Sequence, residues 1–202
     1  MRRVILSVAV LMVVMGVGIT GADASIIYNF EGVTPSGSNF QYSYLAELSA
    51  DQKVATSIGR NFGVIYDFAG LISATSTALV AGITVSTVTE ATTVPQPTFQ
   101  AVPDSASFMN IRTEMTGSFE SPSLAGIYRV LAISSLGPAT MLLNQSAQAV
   151  KDVPGDPSNN TLSGNSVVVE GPNPVPEPTT LLLIGSGLVG LGAARRRRAA
   201  KK

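Results

Sequence analysis

Residues 40–48 read Phe-Gln-Tyr-Ser-Tyr-Leu-Ala-Glu-Leu, and residues 62–69 read Phe-Gly-Val-Ile-Tyr-Asp-Phe-Ala. In both stretches aromatic or aliphatic side chains fall on alternate positions, which is the period of a β-strand with one buried face. We expect these side chains to fill the space between two sheets. Further runs rich in Val, Ile and Thr cover residues 79–89, 108–115, 126–134 and 165–170. Many short strands separated by turn signals predict a mainly β domain, an antiparallel sandwich or a barrel-like fold.

One run inside this region has the composition of a helix instead. Residues 140–150 read Thr-Met-Leu-Leu-Asn-Gln-Ser-Ala-Gln-Ala-Val. Met, Leu, Gln and Ala are good helix formers, whereas β-branched residues are few. The sequence therefore allows a short helix at residues 140–150 within the β domain.

The composition removes several classes of enzyme. The 202 residues suit one domain with terminal attachments, and they include no Cys, His or Trp. The chain therefore has no thiol or imidazole for nucleophilic catalysis and lacks the usual ligands of zinc and copper. We predict no catalytic residue, no cofactor-binding residue and no metal ligand. Two alternatives stay open: paired carboxylates that hydrolyse a glycosidic bond, and a calcium site in the loop that contains Asp152, Asp156, Asn159 and Asn160.

Charge is divided unevenly along the chain. The 13 cations and 13 acids balance overall, but eight of the cations lie at the two ends. Residues 25–178 hold five cations and twelve acids, a formal charge of −7. An acidic body repels phosphate backbones, so we expect no nucleic-acid partner. The cationic ends fit the rule that positive residues stay on the cytoplasmic side of a membrane.

Residues 1–24 have the organisation of a signal peptide. Two arginines precede residues 4–19, which are apolar except for one serine. Ala22 and Ala24 place small side chains at the two positions that a signal peptidase accepts, so we expect cleavage between Ala24 and Ser25. The alternative is an uncleaved anchor, but 16 residues rise only about 24 Å as a helix against about 30 Å of hydrocarbon.

The C-terminal segment has three parts. Residues 171–178 read Gly-Pro-Asn-Pro-Val-Pro-Glu-Pro, and four prolines keep this spacer extended and stiff. Residues 179–194 are apolar or small, and residues 195–202 form a basic tail. Four arginines open that tail: Arg195, Arg196, Arg197 and Arg198. We predict a short transmembrane helix over residues 179–194, with the arginines as its positive-inside stop.

Four residues stand directly before the apolar run: Val175, Pro176, Glu177 and Pro178. With the Gly- and Leu-rich run and the basic cluster, they resemble the PEP-CTERM protein-sorting tail of Gram-negative bacteria. The resemblance implies an exported precursor that is held in the inner membrane and processed at or near Pro-Glu-Pro. The processing enzyme would be an exosortase, a membrane cysteine protease-transpeptidase, and the product would pass toward the envelope or the extracellular matrix. The resemblance implies nothing specific about residues 25–170.

We therefore predict five segments: signal peptide (1–24), exported β-rich domain (25–170), Pro-rich spacer (171–178), transmembrane helix (179–194) and basic cytoplasmic tail (195–202). The expected function is that of an exported, non-enzymatic structural or interaction protein of the cell envelope or extracellular matrix. The alternatives are a single-pass inner-membrane protein with a periplasmic β domain and a secreted, carboxylate-dependent, glycan-active enzyme. The expected partners are signal peptidase and the general export machinery, an exosortase-type membrane protease and membrane lipid, with exopolysaccharide as a candidate ligand.

Overall fold

The computed structural model describes residues 25–56, 61–91, 101–120, 123–138, 140–152, 161–173 and 186. In this part of the chain the elements are eleven β-strands. In chain order they are β1 (Ile26–Ser36), β2 (Asn39–Leu48), β3 (Gln52–Val54), β4 (Phe62–Phe68), β5 (Leu71–Ala78), β6 (Ile83–Glu90), β7 (Met109–Gly117), β8 (Phe119–Glu120), β9 (Ala125–Ser134), β10 (Thr140–Lys151) and β11 (Leu162–Pro172).

The strands form two antiparallel sheets, so the predicted mainly β, antiparallel class is confirmed. The smaller sheet has the order β1-β2-β9-β5, and the larger sheet has the order β6-β7-β4-β10-β3-β8, with β11 paired to β10. The predicted signal and transmembrane helices lie outside the described residues. Among the described residues, no helix reaches the length and apolar character needed to cross a bilayer.

Strand β2 lies between β1 and β9 and shows the alternation that its sequence predicts. Tyr42, Tyr44, Ala46 and Leu48 are fully buried in the core, whereas the residues between them are partly exposed. Because β2 is hydrogen-bonded on both sides, its backbone is satisfied and only its side chains distinguish the two faces.

Strand β4 departs from the alternation at its end. Phe62, Val64 and Tyr66 form a separate cluster with Val102, whereas Phe68 belongs to the main core. Tyr66 and Phe68 would share a face in a regular strand, but the pairing with β7 shifts between Ile65 and Phe68, and Asp67 in this interval has a positive φ of 55°. The bulge turns Phe68 to the opposite face. The expectation that all these side chains fill the space between the sheets is therefore wrong for the first three.

The helix that the composition allowed at residues 140–150 is not formed, and this segment is strand β10. One side of β10 pairs with β11 from Thr140 to Val150, and the other side pairs with β4 and then with β3. Leu143, Ala147 and Ala149 enter the main core. The hydrogen-bond ladders on both sides of β10, together with burial, outweigh the intrinsic helix propensity of these residues.

A side chain of β10 bridges the place where the edges of the two sheets meet, which we call the seam. Strand β1 is an edge of the smaller sheet, and the backbone amide of Tyr28 donates to Oε1 of Gln145 at 2.9 Å. Nε2 of Gln145 donates in turn to the Tyr28 carbonyl oxygen at 3.3 Å. The amide side chain thus replaces a neighbouring strand at this point, so the buried edge keeps its hydrogen bonds.

The described domain has two opposite ends along the direction of its strands. At one end, the leader end, Ile26 pairs with Leu48, and Leu48 pairs with Ala125. At the other, the tail end, Pro172 pairs with Thr140. The loop that joins β9 to β10 also lies at the tail end. The chain therefore enters the domain at one end and leaves it at the other.

Candidate functional site

The point where the chain leaves the domain is defined by β11. This strand pairs with β10 over its whole length, and its last residue, Pro172, lies opposite Thr140. Asn173 is the next residue and the last of this described range. The segment that carries the predicted sorting residues therefore begins at the tail end, immediately after a fully paired strand.

Comparison with protein families identifies that segment. Residues 174–198 match the model of the PEP-CTERM protein-sorting motif. The chain carries a PEP-CTERM sorting motif. The motif indicates an exported, envelope-targeted protein with an exosortase-type processing partner. No curated protein and no solved structure matches the chain.

The sorting motif contains both predicted clusters of the C-terminal segment. Val175, Pro176, Glu177 and Pro178 lie at its start, and Arg195, Arg196, Arg197 and Arg198 lie at its end. All eight residues lie outside the described residues, as do Ala22 and Ala24 of the predicted signal cleavage site. The family match supports the interpretation of the motif and leaves its cleavage position a prediction.

Ser25, on the other side of the predicted signal cleavage site, is described by the structure. It directly precedes β1 and is buried, and its carbonyl oxygen accepts a hydrogen bond from the Ser49 amide at 3.1 Å. Its hydroxyl has no hydrogen-bond partner among the described residues. Ser25 is therefore part of the folded domain.

A groove of about 320 Å³ opens between β1 and the β10–β11 pair. Its lining combines aromatic, aliphatic and polar side chains: Tyr28, Asn29, Phe30, Leu142, Val168, Val169 and Glu170. One carboxylate and one amide do not form a catalytic pair for glycoside hydrolysis, which needs two carboxyl groups facing each other. The groove is a feature that the sequence did not predict, because its walls come from residues more than 100 positions apart.

The tail end of the β10–β11 pair exposes four apolar side chains, which we call the apolar wedge. Met141, Leu142, Val167 and Val168 are 39, 63, 37 and 53% exposed. Leu142 and Val168 lie on one face of the strand pair, whereas Met141 and Val167 share the opposite face with Leu143, because neighbouring residues alternate. The sequence analysis allowed a helix over residues 140–150 and a β-rich run over residues 165–170, and it did not predict this exposed apolar surface.

A network of three hydroxyl groups lies inside the core. Tyr28 Oη is 2.6 Å from Thr113 Oγ1 and 2.7 Å from Tyr128 Oη, and the latter two are 2.8 Å apart. Thr113 Oγ1 also lies 3.2 Å from the Gly63 carbonyl oxygen, to which it can donate. Three hydroxyl hydrogens are available for four contacts, so three of these contacts can be hydrogen bonds at any one time. Burial raises the pKa of Tyr28 to about 12, so the network is neutral at ordinary pH.

Gly63 is required by this network. A Cβ at position 63 would lie 2.2 Å from Tyr28 Oη, far inside van der Waals contact. Tyr28 takes part in both features: its side chain belongs to the hydroxyl network, and its backbone amide and carbonyl bond Gln145. These contacts are structural and show no group that is poised for chemistry.

Several acidic side chains elsewhere in the domain have cationic partners. Arg112 bridges Glu90 at 2.7 Å and also bonds Glu114, and Lys53 lies 3.6 Å from Asp152. Within the described ranges, no group of three or more acidic side chains is placed to hold a metal ion. Of the four residues proposed as calcium ligands, only Asp152 is described. The other three, Asp156, Asn159 and Asn160, lie outside the described residues.

Asp67 and Asp104 mark a second acidic position, next to the bulge in β4. The Ser105 amide donates to Asp67 Oδ1 at 2.9 Å, and Asn110 Nδ2 donates to Asp104 Oδ1 at 3.0 Å. Burial raises the pKa of Asp67, and the Ser105 amide opposes this shift. The Asp67 carboxylate ties the segment that carries Val102 to β4, and the Asp104 carboxylate ties it to β7, so their role in the described structure is to position a loop.

Proposed function

We propose that this chain is an exported cell-envelope or extracellular-matrix protein whose β domain has a structural or interaction role. The observation that carries the proposal is the sorting motif at residues 174–198. The N-terminal segment directs export, and residues 179–194 hold the precursor in the inner membrane. An exosortase-type protease then removes the tail near Glu177 and passes the domain outward.

The geometry of the tail end supports processing of a folded domain. The motif begins two residues after Pro172, where β11 ends. Strand β11 pairs with β10 up to that residue. Cleavage at any bond between residues 174 and 178 therefore removes no strand from either sheet. A domain that is complete without its tail can be released without refolding.

The pairing of the acids supports a structural role for the domain. Arg129 Nε donates to Glu31 Oε2 at 2.7 Å on the outer face of the smaller sheet, and Ser43 also donates to that carboxylate. With the bridges of Arg112 and Lys53, several carboxylates of the acidic body have cationic or hydroxyl partners. The alternative of a carboxylate-dependent glycan-active enzyme needs two opposed acids instead, with room for a sugar between them.

The test is mass spectrometry of the protein in membrane, envelope and extracellular fractions of an exosortase-containing host. We expect an extracellular chain that begins at Ser25 and ends near Pro178. Glu177→Gln should leave the tail attached and keep the chain in the membrane fraction, because it removes the charge between the two prolines. Glu170→Gln is the matched control, since it changes an acid of β11 before the motif, and it should be processed normally.

Two outcomes would contradict the proposal. Intact C-termini in every fraction, resistant to carbonate extraction, would favour a permanent single-pass membrane protein. Release of both variants at the same rate would show that Glu177 is not read by the protease.

A further inference from the structure

The apolar wedge is unusual for the surface of a protein. Single exposed aliphatic residues are common, but the four wedge residues lie on two paired strands within five consecutive ladder positions. The wedge covers both faces of the strand pair, so an added layer on one face would not bury it. Exposed apolar side chains clustered at one end of a strand pair point to an interaction site.

The position of the wedge limits what can cover it. Met141 pairs with Gly171 and Leu142 pairs with Glu170, so both lie within two ladder positions of the point where the chain leaves the domain. Residues 173–178 can span at most about 20 Å when extended. If residues 179–194 are inserted in a bilayer, the wedge is held close to the membrane surface. The leader end, with Ser25, faces away from it.

The charges near the wedge indicate the chemistry of its partner. Glu170 is the charged residue on the exposed β11 segment beside Val168, and Thr140 Oγ1 donates to it at 3.1 Å. The cation of β10, Lys151, lies at the far end of the strand. No basic residue of β10 or β11 lies beside the wedge to attract anionic headgroups, so the contact depends on apolar side chains. A zwitterionic lipid surface fits this pattern better than an anionic one.

We propose that the apolar wedge inserts into the interfacial layer of the bilayer while the tail holds the precursor, with zwitterionic lipid as its partner. The proposal rests on the proposed function, because the inserted tail brings the wedge to the membrane. The inserted tail tethers the domain to the bilayer and raises the effective concentration of the wedge at the membrane surface. A small apolar area is therefore enough to orient the domain. Once the tail is cut, the wedge alone binds weakly and the domain leaves.

The absence of Trp from the chain provides a direct test. Single-tryptophan variants of the 202-residue chain are reconstituted in phosphatidylcholine vesicles with and without bromine on the acyl chains, which quenches nearby indole fluorescence. Leu142→Trp reports on the wedge. Leu124→Trp is the matched control, because Leu124 is 56% exposed and lies at the leader end, just before β9. Leu188→Trp reports on the tail.

We expect brominated lipid to lower the fluorescence of Leu142→Trp about twofold, with a blue-shifted emission, as for side chains at the acyl boundary. Leu124→Trp should keep its fluorescence, and Leu188→Trp should be quenched most. The substituted domain positions are exposed, and circular dichroism of each variant checks that the sheets are intact.

Three results would overturn the proposal. If Leu188→Trp is quenched and Leu142→Trp is not, the tail is inserted but the wedge does not touch lipid. If Leu142→Trp is unquenched and its emission shifts with protein concentration, the wedge is covered by a second copy of the chain. If Leu188→Trp is not quenched, the proposed insertion of the tail fails, and the wedge proposal fails with it.

Discussion

Two regions of the core bury tyrosine hydroxyls in opposite ways. In one region, the hydroxyls of Tyr28 and Tyr128 bond each other and Thr113. In the other, the ring of Tyr44 packs against Phe30 and Phe68, with centroids 5.7 and 6.4 Å away. The Tyr44 hydroxyl is buried and has no hydrogen-bond partner among the described residues.

This difference separates two uses of the same residue type. Burial raises the pKa of both Tyr28 and Tyr44, so both hydroxyls stay protonated and each carries a hydrogen that needs an acceptor. The first region supplies acceptors and the second does not. We infer that Tyr28 and Tyr128 contribute hydrogen bonds across the core, whereas Tyr44 contributes the volume of its ring.

The largest effect is expected from Thr113→Val, which keeps the shape of the side chain and removes the central hydroxyl. Tyr28 and Tyr128 can then form one hydrogen bond between them, so one hydroxyl hydrogen loses its acceptor. We expect the free energy of unfolding to fall by about 1–3 kcal/mol. The measurement is urea unfolding of the chain in mild detergent, followed by tyrosine fluorescence.

Thr113→Ser is the control for that variant, because it restores the hydroxyl with a smaller side chain. It should recover most of the lost stability. Equal losses in the two variants would mean that the methyl group, and not the hydroxyl network, stabilises this region.

A smaller effect, close to zero, is expected from Tyr44→Phe. The change removes a buried hydroxyl that has no described partner, so the free energy of unfolding should stay within about 0.5 kcal/mol or rise. Tyr128→Phe is the matched control and should lower it by about 1 kcal/mol. The same unfolding experiment compares both variants. Equal losses would show that the Tyr44 hydroxyl has an acceptor, such as a buried water, and the contrast between the two regions would disappear.

Another small effect is expected at the surface, where Glu31 has an ionic partner but solvent screens the pair. Hydrogen bonds from Arg129 and, to a smaller extent, from Ser43 lower the pKa of Glu31 from 4.5 to about 2. Because the folded-state pKa is the lower one, the stabilisation is present above pH 4.5 and is lost as the pH falls toward 2. We expect a small, salt-sensitive loss of stability in this range. Arg129→Gln should remove the contribution of this pair, and an unchanged pH profile would contradict the assignment.

Local pattern predicted the fold best where the structure repeats regularly. Strand β2 follows its alternation from Tyr42 to Leu48 because both register shifts place the extra residue in a neighbour, between Phe30 and Gly32 of β1 and between Gly126 and Tyr128 of β9. Strand β4 does not, because the bulge at Asp67 reverses the face of Phe68. A bulge depends on contacts with the neighbouring strand and the loop, in particular on Asn110 Oδ1, which accepts from the Asp67 amide at 2.8 Å.

Strand β10 shows the limit of composition. Its residues favour a helix when they are considered alone, but β11, β4 and β3 supply ladders on both sides. The same strand is buried in one half and exposes Met141 and Leu142 in the other. No periodicity in residues 140–150 separates these halves, because burial depends on the parts of the fold that pack over each half.

The sequence by itself determined the sorting signal of this protein, because a sorting motif is a short, continuous segment that is recognised from its own order of residues. Proline spacing, apolar length and the arginine cluster are all local properties, and the family match at residues 174–198 agrees with them. Only the tertiary structure decided the hydroxyl network, the seam at Gln145 and the apolar wedge. Each of these joins residues that are far apart in the chain, and their proximity results from strand pairing and sheet packing, which no local pattern records.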